Sequence, residues 1–335
     1  MSIMENIREQ KLSSTNNESV LIVRLHSIRY EAPDINTYIF RSLQGQHLPA
    51  FSAGAHIDLH LAPHMIRSYS LINTPDQCDY YAISVKRESS GRGGSQFVHD
   101  TLRVGQELTI GRPSNDFPLR VDAAFSVFFA GGIGITPILC MVMQLEQLGQ
   151  NWELHYATRS RNSAAFLNQL EKLGPQVHLY FDDEVDLDGS QNALDIESHI
   201  SSLPEEVHLY CCGPLPMLST FEAATANRSN DFVHLEYFKS NVPAATTGGY
   251  EVVLQKSDQT LFIAEGQSIL DAVLEIGIDI PFSCMDGVCG SCETRVIEGT
   301  PDHRDLVLSK EERDQNNKMM ICCSGSKTDK LILDL

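Results

Sequence analysis

The feature that most limits what this chain can become is a run of cysteines near its end. Cys284, Cys289 and Cys292 form a C-x4-C-x2-C pattern, and the doublet Cys322-Cys323 follows after 29 intervening residues. Three thiolates from one short loop and a fourth from a distant segment is the plant-type [2Fe–2S] spacing. The loop must fold back tightly enough for its sulfurs to converge. Gly287 and Gly290 supply the backbone freedom and the space for that, and their N–H groups can donate to cluster sulfurs. A zinc site usually draws on two separated cysteine pairs, not on three ligands in one loop. Buried unpaired cysteines leave the crowding beside two glycines unexplained. Cys284, Cys289 and Cys292 therefore read as cluster ligands. The fourth is Cys322 or Cys323: read as strand neighbours they point to opposite faces, so only one can ligate.

The same region is acidic. From Gly248 to Leu335 sixteen Asp/Glu face eight Lys/Arg, so this quarter carries -8 of a net charge of -19. That balance argues against general nucleic-acid binding, which needs a basic face. Tyr250–Leu254 and Thr260–Ile263 read as paired strands, Ser268–Ile276 as a helix and Lys330–Leu333 as a closing strand, together a small β-rich domain over 248–335. At 335 residues the chain exceeds one ordinary core, and two or three domains are expected. No apolar run approaches the roughly 20 residues that span a bilayer. The polar segment 1–19 reads as a flexible tail without a signal peptide. Nine cysteines, an odd count clustered late, fit reduced thiols in a cytoplasm better than a disulfide framework.

Upstream, residues 123–233 alternate strand and helix. Phe125–Ala130, Glu153–Ala157, Val177–Phe181, Val207–Cys211 and Phe232–Tyr237 are short apolar or β-rich runs. Thr136–Leu148 keeps one face apolar, with Pro137 suited to a first turn and Gly149 to a helix end. The alternation implies a mostly parallel sheet. Its first strand runs into Gly131-Gly-Ile-Gly-Ile-Thr-Pro137. Gly131, Gly132 and Gly134 there could let backbone approach a pyrophosphate at a helix N-terminus, or could serve packing alone. Cys211-Cys-Gly-Pro214 ends a later strand, on the edge where open α/β sheets bind ligands. Cys212 is then a ligand-side residue or a small buried hydrophobe. Arg159, in Thr158-Arg-Ser-Arg161, stands where a ribose 2′-phosphate could be read, or is a solvated loop charge. NADH and NADPH both stay open.

Residues 20–122 show many short strands and little helix: Val20–Ile28, Thr37–Arg41, His56–Leu61, Ser68–Ile72, Tyr80–Val85 and Glu107–Ile110. That spacing suggests an antiparallel barrel. Arg67-Ser-Tyr-Ser-Leu71 alternates polar groups along a strand. Gly91-Arg-Gly-Gly-Ser95 opens a short helix, Gln96–Leu102, with free N–H groups and a hydroxyl at its start, which suits a phosphate. A hairpin turn followed by a helix cap is the plainer alternative.

Taken in order, RSYSL, GRGGS, GGIGITP, CCGP and the cysteine cluster resemble the phthalate dioxygenase reductase family, and vanillate O-demethylase reductase components are similar. The resemblance runs from about residue 20 to the end. It implies a multidomain chain: an antiparallel β-barrel flavin domain (20–122), an α/β parallel-sheet NAD domain (123–233), a linker (234–247) and an α+β plant-type ferredoxin domain of β-grasp type (248–335). It also implies that Arg67, Ser68, Tyr69 and Ser70 hold FMN, with Ser70 near N5. Val85 and Lys86 would line the ring and ribityl chain, Gly93, Gly94 and Ser95 would cradle the phosphate, and Phe238 would stack on the flavin. On the NAD side, Gly131, Gly132, Gly134, Thr136, Arg159, Cys212, Gly213 and Pro214 are implied, with Thr136 by the flavin or nicotinamide and Cys212 near the nicotinamide C4. Ser70, Thr136 and Cys212 are thus the implied catalytic set, and Cys322 the implied fourth cluster ligand. Pro301-Asp-His-Arg-Asp305 also matches, with no chemical role attached. Gly325 and Ser114 stand where the family usually has Arg, which bears on domain docking.

The activity implied is an NADH-dependent reductase that passes electrons through FMN and the cluster to the Rieske centre of a separate terminal oxygenase, in aromatic catabolism. The chain has no Rieske pair and no facial triad of its own. A monomer is expected, without membrane or nucleic-acid contacts. The competing readings are a reductase for a cytochrome P450 or a diiron monooxygenase, and a non-enzymatic iron–sulfur carrier.

Overall fold

The computed structural model describes residues 20–62, 65–89, 93–185, 192–240 and 242–335. The tail expected over 1–19, and Gly91 and Arg92 of the GRGGS motif, lie outside the described residues.

The first third is a six-stranded antiparallel sheet built from β1 (Val20–Ala32), β2 (Ile35–Ser42), β3 (His56–Ala62), β4 (Met65–Ser70), β5 (Tyr81–Lys86) and β6 (Glu107–Gly111), in the order β4-β3-β6-β1-β2-β5. A bridge between Leu71 and Ile83 joins its two outer strands and closes it into a barrel. β3 shows why these residues form strands. Ile57, Leu59 and Leu61 alternate inward with half-exposed neighbours, the period-two pattern of a sheet with one buried face. α1 (Gly94–Thr101) packs beside β5.

The middle third is a five-stranded parallel sheet: β7 (Ser126–Gly131), β8 (Trp152–Thr158), β9 (Val177–Phe181), β10 (His208–Cys212) and β11 (Val233–Glu236), in the order β11-β10-β7-β8-β9. β7 is central and buried at every residue, as expected of a strand covered on both faces. The helices are α2 (Ile135–Leu148), α3 (Leu167–Leu170), α4 (Ile196–Ser201) and α5 (Leu215–Thr225). Gly149 ends α2 in the left-handed region, its N–H returning to the Leu145 and Glu146 carbonyls. The buried face of α2 shares one core with the barrel. Ile138, Leu139 and Met141 belong to the same cluster as Ala53, Ile72, Ala82 and Phe117, and the Cys140 thiol donates to the Asn73 carbonyl. That shared core fixes the sheet against the barrel.

The last third is a mixed sheet of β12 (Tyr250–Leu254), β13 (Gln259–Ile263), β14 (Glu293–Glu298), β16 (Lys318–Met320) and β18 (Lys330–Leu333), in the order β13-β12-β18-β14-β16. It comes with a two-residue ladder of β15 (Pro301–Asp302) and β17 (Gly325–Ser326) and with helices α6 (Ile269–Glu275) and α7 (Lys310–Gln315). Only β12 and β18 pair in parallel. Both helices begin with a Ser in a capping box, Ser268 with Asp271 and Ser309 with Glu312. β14 is not announced by its sequence, because Thr294 and Val296 face inward between charged, exposed neighbours. The doublet Cys322-Cys323 lies in the turn that leaves β16, so strand alternation does not decide between its members.

The two departures from the family pattern have local explanations. A Cβ on Gly325 would lie 2.7 Å from the Ala245 Cβ of the incoming linker, so this chain has closed the space a larger side chain would need. Ser114 bridges His56 through the backbone, and its Oγ lies 2.9 Å from His56 Nε2.

Candidate active site at the junction of the three domains

The cysteine loop is held from inside. The backbone N–H groups of Asp286 and Val288 point at Cys284 Sγ, at 3.3 and 3.4 Å, and the Cys284 N–H points at Cys289 Sγ at 3.5 Å. The Cys284 thiol donates to Cys289, which draws the Cys289 thiol down to about 6 and pushes Cys284 far up. Cys292 is likewise pushed up, by its hydrogen bond to Cys322 and by burial. The sulfurs thus lie as Cys284 beside Cys289 and Cys292 beside Cys322, with Cys323 also hydrogen-bonded to Cys322. A single tetrahedral zinc would draw four sulfurs to about 3.8 Å of one another. Among the described residues, no three of these sulfurs lie within 4.8 Å of one another. Two pairs are what a two-iron cluster requires, and the aimed N–H groups suit its sulfurs. Cys323 sits behind the loop, where a Cβ on Gly287 would lie 2.4 Å from its sulfur. The residues present fit a [2Fe–2S] cluster.

Next to this loop a cavity of about 430 Å³ opens where all three thirds meet. The barrel supplies Arg67, Ser68, Tyr69 and Ser70 from β4, Val85 and Lys86 from β5, and Gly94 and Ser95 from α1. The parallel sheet supplies Thr136, and Phe238 comes from the segment after β11. Cys284 and Cys289 form the wall opposite. Gly93 stands just outside the lining and caps α1 with φ +76°, a conformation that favours glycine, and no side chain caps the first turn. Gly94 is required sterically, since a Cβ there would lie 2.6 Å from Arg67 Cγ. An uncapped helix start, a hydroxyl and a facing guanidinium make one end of the cavity suit a phosphate. The mixed polar and apolar lining suits a flavin mononucleotide.

The remaining sequence-selected residues gather at the switch point of the parallel sheet, where strand order reverses between β7 and β10. Gly131 and Gly134 are packing residues against the β10 turn: Cβ atoms there would lie 2.4 Å from Pro214 Cδ and 2.2 Å from the Cys212 carbonyl. A Cβ on Gly213 would lie 2.6 Å from Met217 Sδ and 3.1 Å from the Gly131 backbone. Gly132, at φ +54° with nothing within 4 Å, is the glycine that faces open space. Arg159 is exposed at the end of β8, whereas Arg161 is tied to Glu171 and Glu184 and lies over the Phe181 ring. Cys212 is fully buried. It reaches the cavity through Glu236, its register partner on β11, whose carboxylate lies 3.9 Å from the Cys212 sulfur.

Glu236 has no role in the sequence reading, although it begins the Glu236-Tyr-Phe-Lys239 stretch. Burial, and then the charge of Asp116 across the cavity, push its carboxyl up to about 8. It therefore favours its protonated form at neutral pH beside the cavity wall, and the Cys212 thiol is raised first by its own burial and then by Glu236. Asp58 and Ser283 were also missed. The hydroxyls of Ser68 and Ser283 both donate to Asp58 Oδ1, at 2.7 and 2.6 Å, so β3, β4 and the residue before Cys284 share one carboxylate oxygen. No pattern in the sequence signals a contact 225 positions apart.

Comparison with known proteins agrees with this layout. A family described as a 2Fe-2S iron-sulfur cluster binding domain matches residues 252–326. Phenoxybenzoate dioxygenase subunit beta of Ectopseudomonas oleovorans is 49% identical over 313 residues, 93% of this chain and 97% of its own length. Vanillate O-demethylase oxidoreductase of Pseudomonas sp. (strain HR199 / DSM 7063) is 39% identical over 319 residues, 93% of this chain and 99% of that one. Among solved structures, phthalate dioxygenase reductase, described as a modular structure for electron transfer from pyridine nucleotides to [2Fe-2S], superposes with a TM-score of 0.78. It is 34% identical and covers 94% of this chain and 98% of its own.

Proposed function

The chain belongs to the phthalate dioxygenase reductase family, and on that premise we propose that it takes electrons from NADH and delivers them to the Rieske-type terminal oxygenase of an aromatic dioxygenase or demethylase system. The observation that carries this reading is the single cavity shared by the barrel motifs, Thr136 and the cysteines of the cluster loop. When bound, FMN supplies the exchange between a two-electron hydride donor and a one-electron iron–sulfur acceptor. The protein's own residues do the rest. Arg67, Gly94 and Ser95 hold the phosphate end, Val85 and Lys86 flank the cavity, and Phe238 covers it. Thr136 and Cys212 bound the nicotinamide side, and Glu236 holds a proton on its carboxyl there. The shared carboxylate of Asp58 keeps the cluster loop against β4, so electron transfer has a short, fixed gap to cross.

The domain limits proposed are 20–122, 123–233 and 248–335, with 234–247 as linker. Among the described residues no helix is long and apolar enough to cross a membrane, and a monomer in the cytoplasm fits this reading. Metal and flavin analysis of the purified chain tests it, with about two iron atoms and one FMN expected per chain and anaerobic NADH bleaching both chromophores. A chain that binds iron but no flavin would instead be an iron–sulfur carrier. Coupled NADH consumption on adding candidate oxygenases separates a Rieske acceptor from a cytochrome P450 or a diiron enzyme.

A further inference from the structure

On the face of the ferredoxin-type domain formed by α7 and the Thr300–Asp305 segment lies a second cavity, of about 350 Å³, lined by Thr300, His303, Lys310, Arg313, Asp314, Asn316 and Lys327. None of these residues borders the junction cavity. Its charge is anomalous. The domain carries sixteen acids and only eight lysines and arginines, yet three of those eight line this one cavity with a single acid, Asp314. Lys318 is neutralised by Glu293 and Glu312, Arg304 by Asp302 and Lys256 by Asp334, and within the cavity Arg313 lies 3.8 Å from the buried Asp305 carboxylate. Among the described residues Lys310 and Lys327 make no ion pair. Two lysines without an ion pair in one cavity of an acidic domain suit a counter-ion.

The imidazole of His303 points the same way. Its side chain is 7% exposed, and neither ring nitrogen has a hydrogen-bond partner in acceptable geometry. Asp305 Oδ1 is 3.8 Å from Nδ1, too far to satisfy it. Buried ring nitrogens are rarely left so, because the lost water bonds are not replaced. Burial holds His303 below its usual pKa against the pull of Asp305 and of the Arg313 backbone, and the charges of Arg313 and Lys327 add to the lowering. Asp305 is no substitute for an outside ligand. Its Oδ2 accepts from the Val307 and Leu308 N–H groups, which closes the turn.

We propose that this cavity is an oxyanion site, in which His303, Lys310, Arg313 and Lys327 receive a carboxylate or a phosphate. The oxyanion comes either from an acidic side chain of a docking protein or from a free phosphate ester, and the two sources share the same chemistry of recognition. The site gives a role to the Pro301–Asp305 motif that the cluster and the flavin leave without one. It is also coupled to the cluster loop, because the Leu306 N–H donates to the Gly287 carbonyl at 2.8 Å and the Arg304 N–H donates to Ser324 Oγ at 3.1 Å, one residue beyond the doublet. The inference does not depend on the electron-transfer reading.

Calorimetric titration of the full iron-loaded chain at low ionic strength tests it, with inorganic phosphate in one arm and glutarate, a carboxylate probe, in the other. Saturable one-to-one binding is expected in at least one arm, weakened at least tenfold both by His303→Gln and by the surface double substitution Lys310→Gln/Lys327→Gln. The bound oxyanion is also expected to shift the visible circular dichroism of the cluster. Binding of phosphate alone assigns the site to a phosphate ester, and binding of glutarate alone assigns it to an acidic side chain. No saturable binding of either probe by the unaltered chain overturns the proposal. So does an affinity that the double substitution, with iron content intact, leaves unchanged.

Discussion

Two cysteine doublets, Cys211-Cys212 in the parallel sheet and Cys322-Cys323 beside the cluster loop, look alike in sequence and are separated in the fold by opposite means. On β10 the two side chains take opposite faces of the sheet, Cys211 joining the core under α4 and α5 and Cys212 the core under α2. Strand alternation alone divides them. The second doublet lies in a turn, and its members are divided by what reaches them: Cys292 meets Cys322, and Gly287 presses on Cys323. Each doublet is backed by a glycine that a Cβ would drive into it, Gly134 against the Cys212 carbonyl and Gly287 against the Cys323 sulfur. The lesson is that the two thiols of a doublet take different neighbours, and the local backbone decides how they are sorted.

The largest effect that could break this comparison is in the turn. Cys322→Ser is expected to lose more than half of the bound iron, whereas Cys323→Ala keeps its iron and loses roughly 1–2 kcal/mol of stability, as expected for a small truncation in a core. Iron analysis and thermal melts read both, and an iron-free Cys323→Ala protein would reverse the ligand choice. The backing glycines come next. Gly287→Ala adds a left-handed strain of about 1–2 kcal/mol to its collision, because its φ is +70°. Gly134, at φ -62°, carries the collision alone. Gly287→Ala should therefore lower the melting temperature more than Gly134→Ala and should also lower iron content. Equal losses would mean that backbone strain contributes nothing.

In the sheet the expected effects are smaller. Cys212→Ala should slow NADH-driven flavin reduction roughly tenfold, the scale of a displaced reactant, while Cys211→Ala leaves that rate unchanged and costs stability only. Stopped-flow absorbance separates them, and matched rates would remove Cys212 from the nicotinamide side. The smallest effect is a pH dependence. Glu236 is raised from 4.5 to about 8 by burial and Asp116, so the folded chain binds a proton there that the unfolded chain has released. Its stabilising contribution is full below about pH 4.5 and is lost as pH rises through about 8. Glu236→Gln should match the parent near pH 4.5 and melt several degrees higher above pH 8. Parallel melting curves across that range would show that Glu236 titrates normally.

Much of this was readable from local chemistry. The C-x4-C-x2-C loop, the uncapped start of α1, the apolar face of α2 with its Gly149 stop, and the alternation along β3 all depend on residues a few positions apart. β14 was not readable, because its inward Thr294 and Val296 are outnumbered by exposed charges. Gly131 and Gly134 showed as glycines at a strand end, but not as the contact surface of a turn some 80 residues on. Glu236 became a proton-holding group only when β11 placed it against Cys212 and brought Asp116 across the cavity.

The sequence by itself determined which chemistry this chain could hold: three clustered thiolates, glycine-rich turns before two helices, and an acidic final quarter. Those properties follow from residue type and short spacing, which act through local sterics and charge. Only the tertiary structure decided that Cys322 faces Cys292, that Asp58 ties the barrel to the cluster loop, that one cavity joins all three thirds, and that His303 is buried among unpaired lysines. Each of these depends on burial and on distance between residues far apart in the chain, and neither quantity exists until the domains have packed.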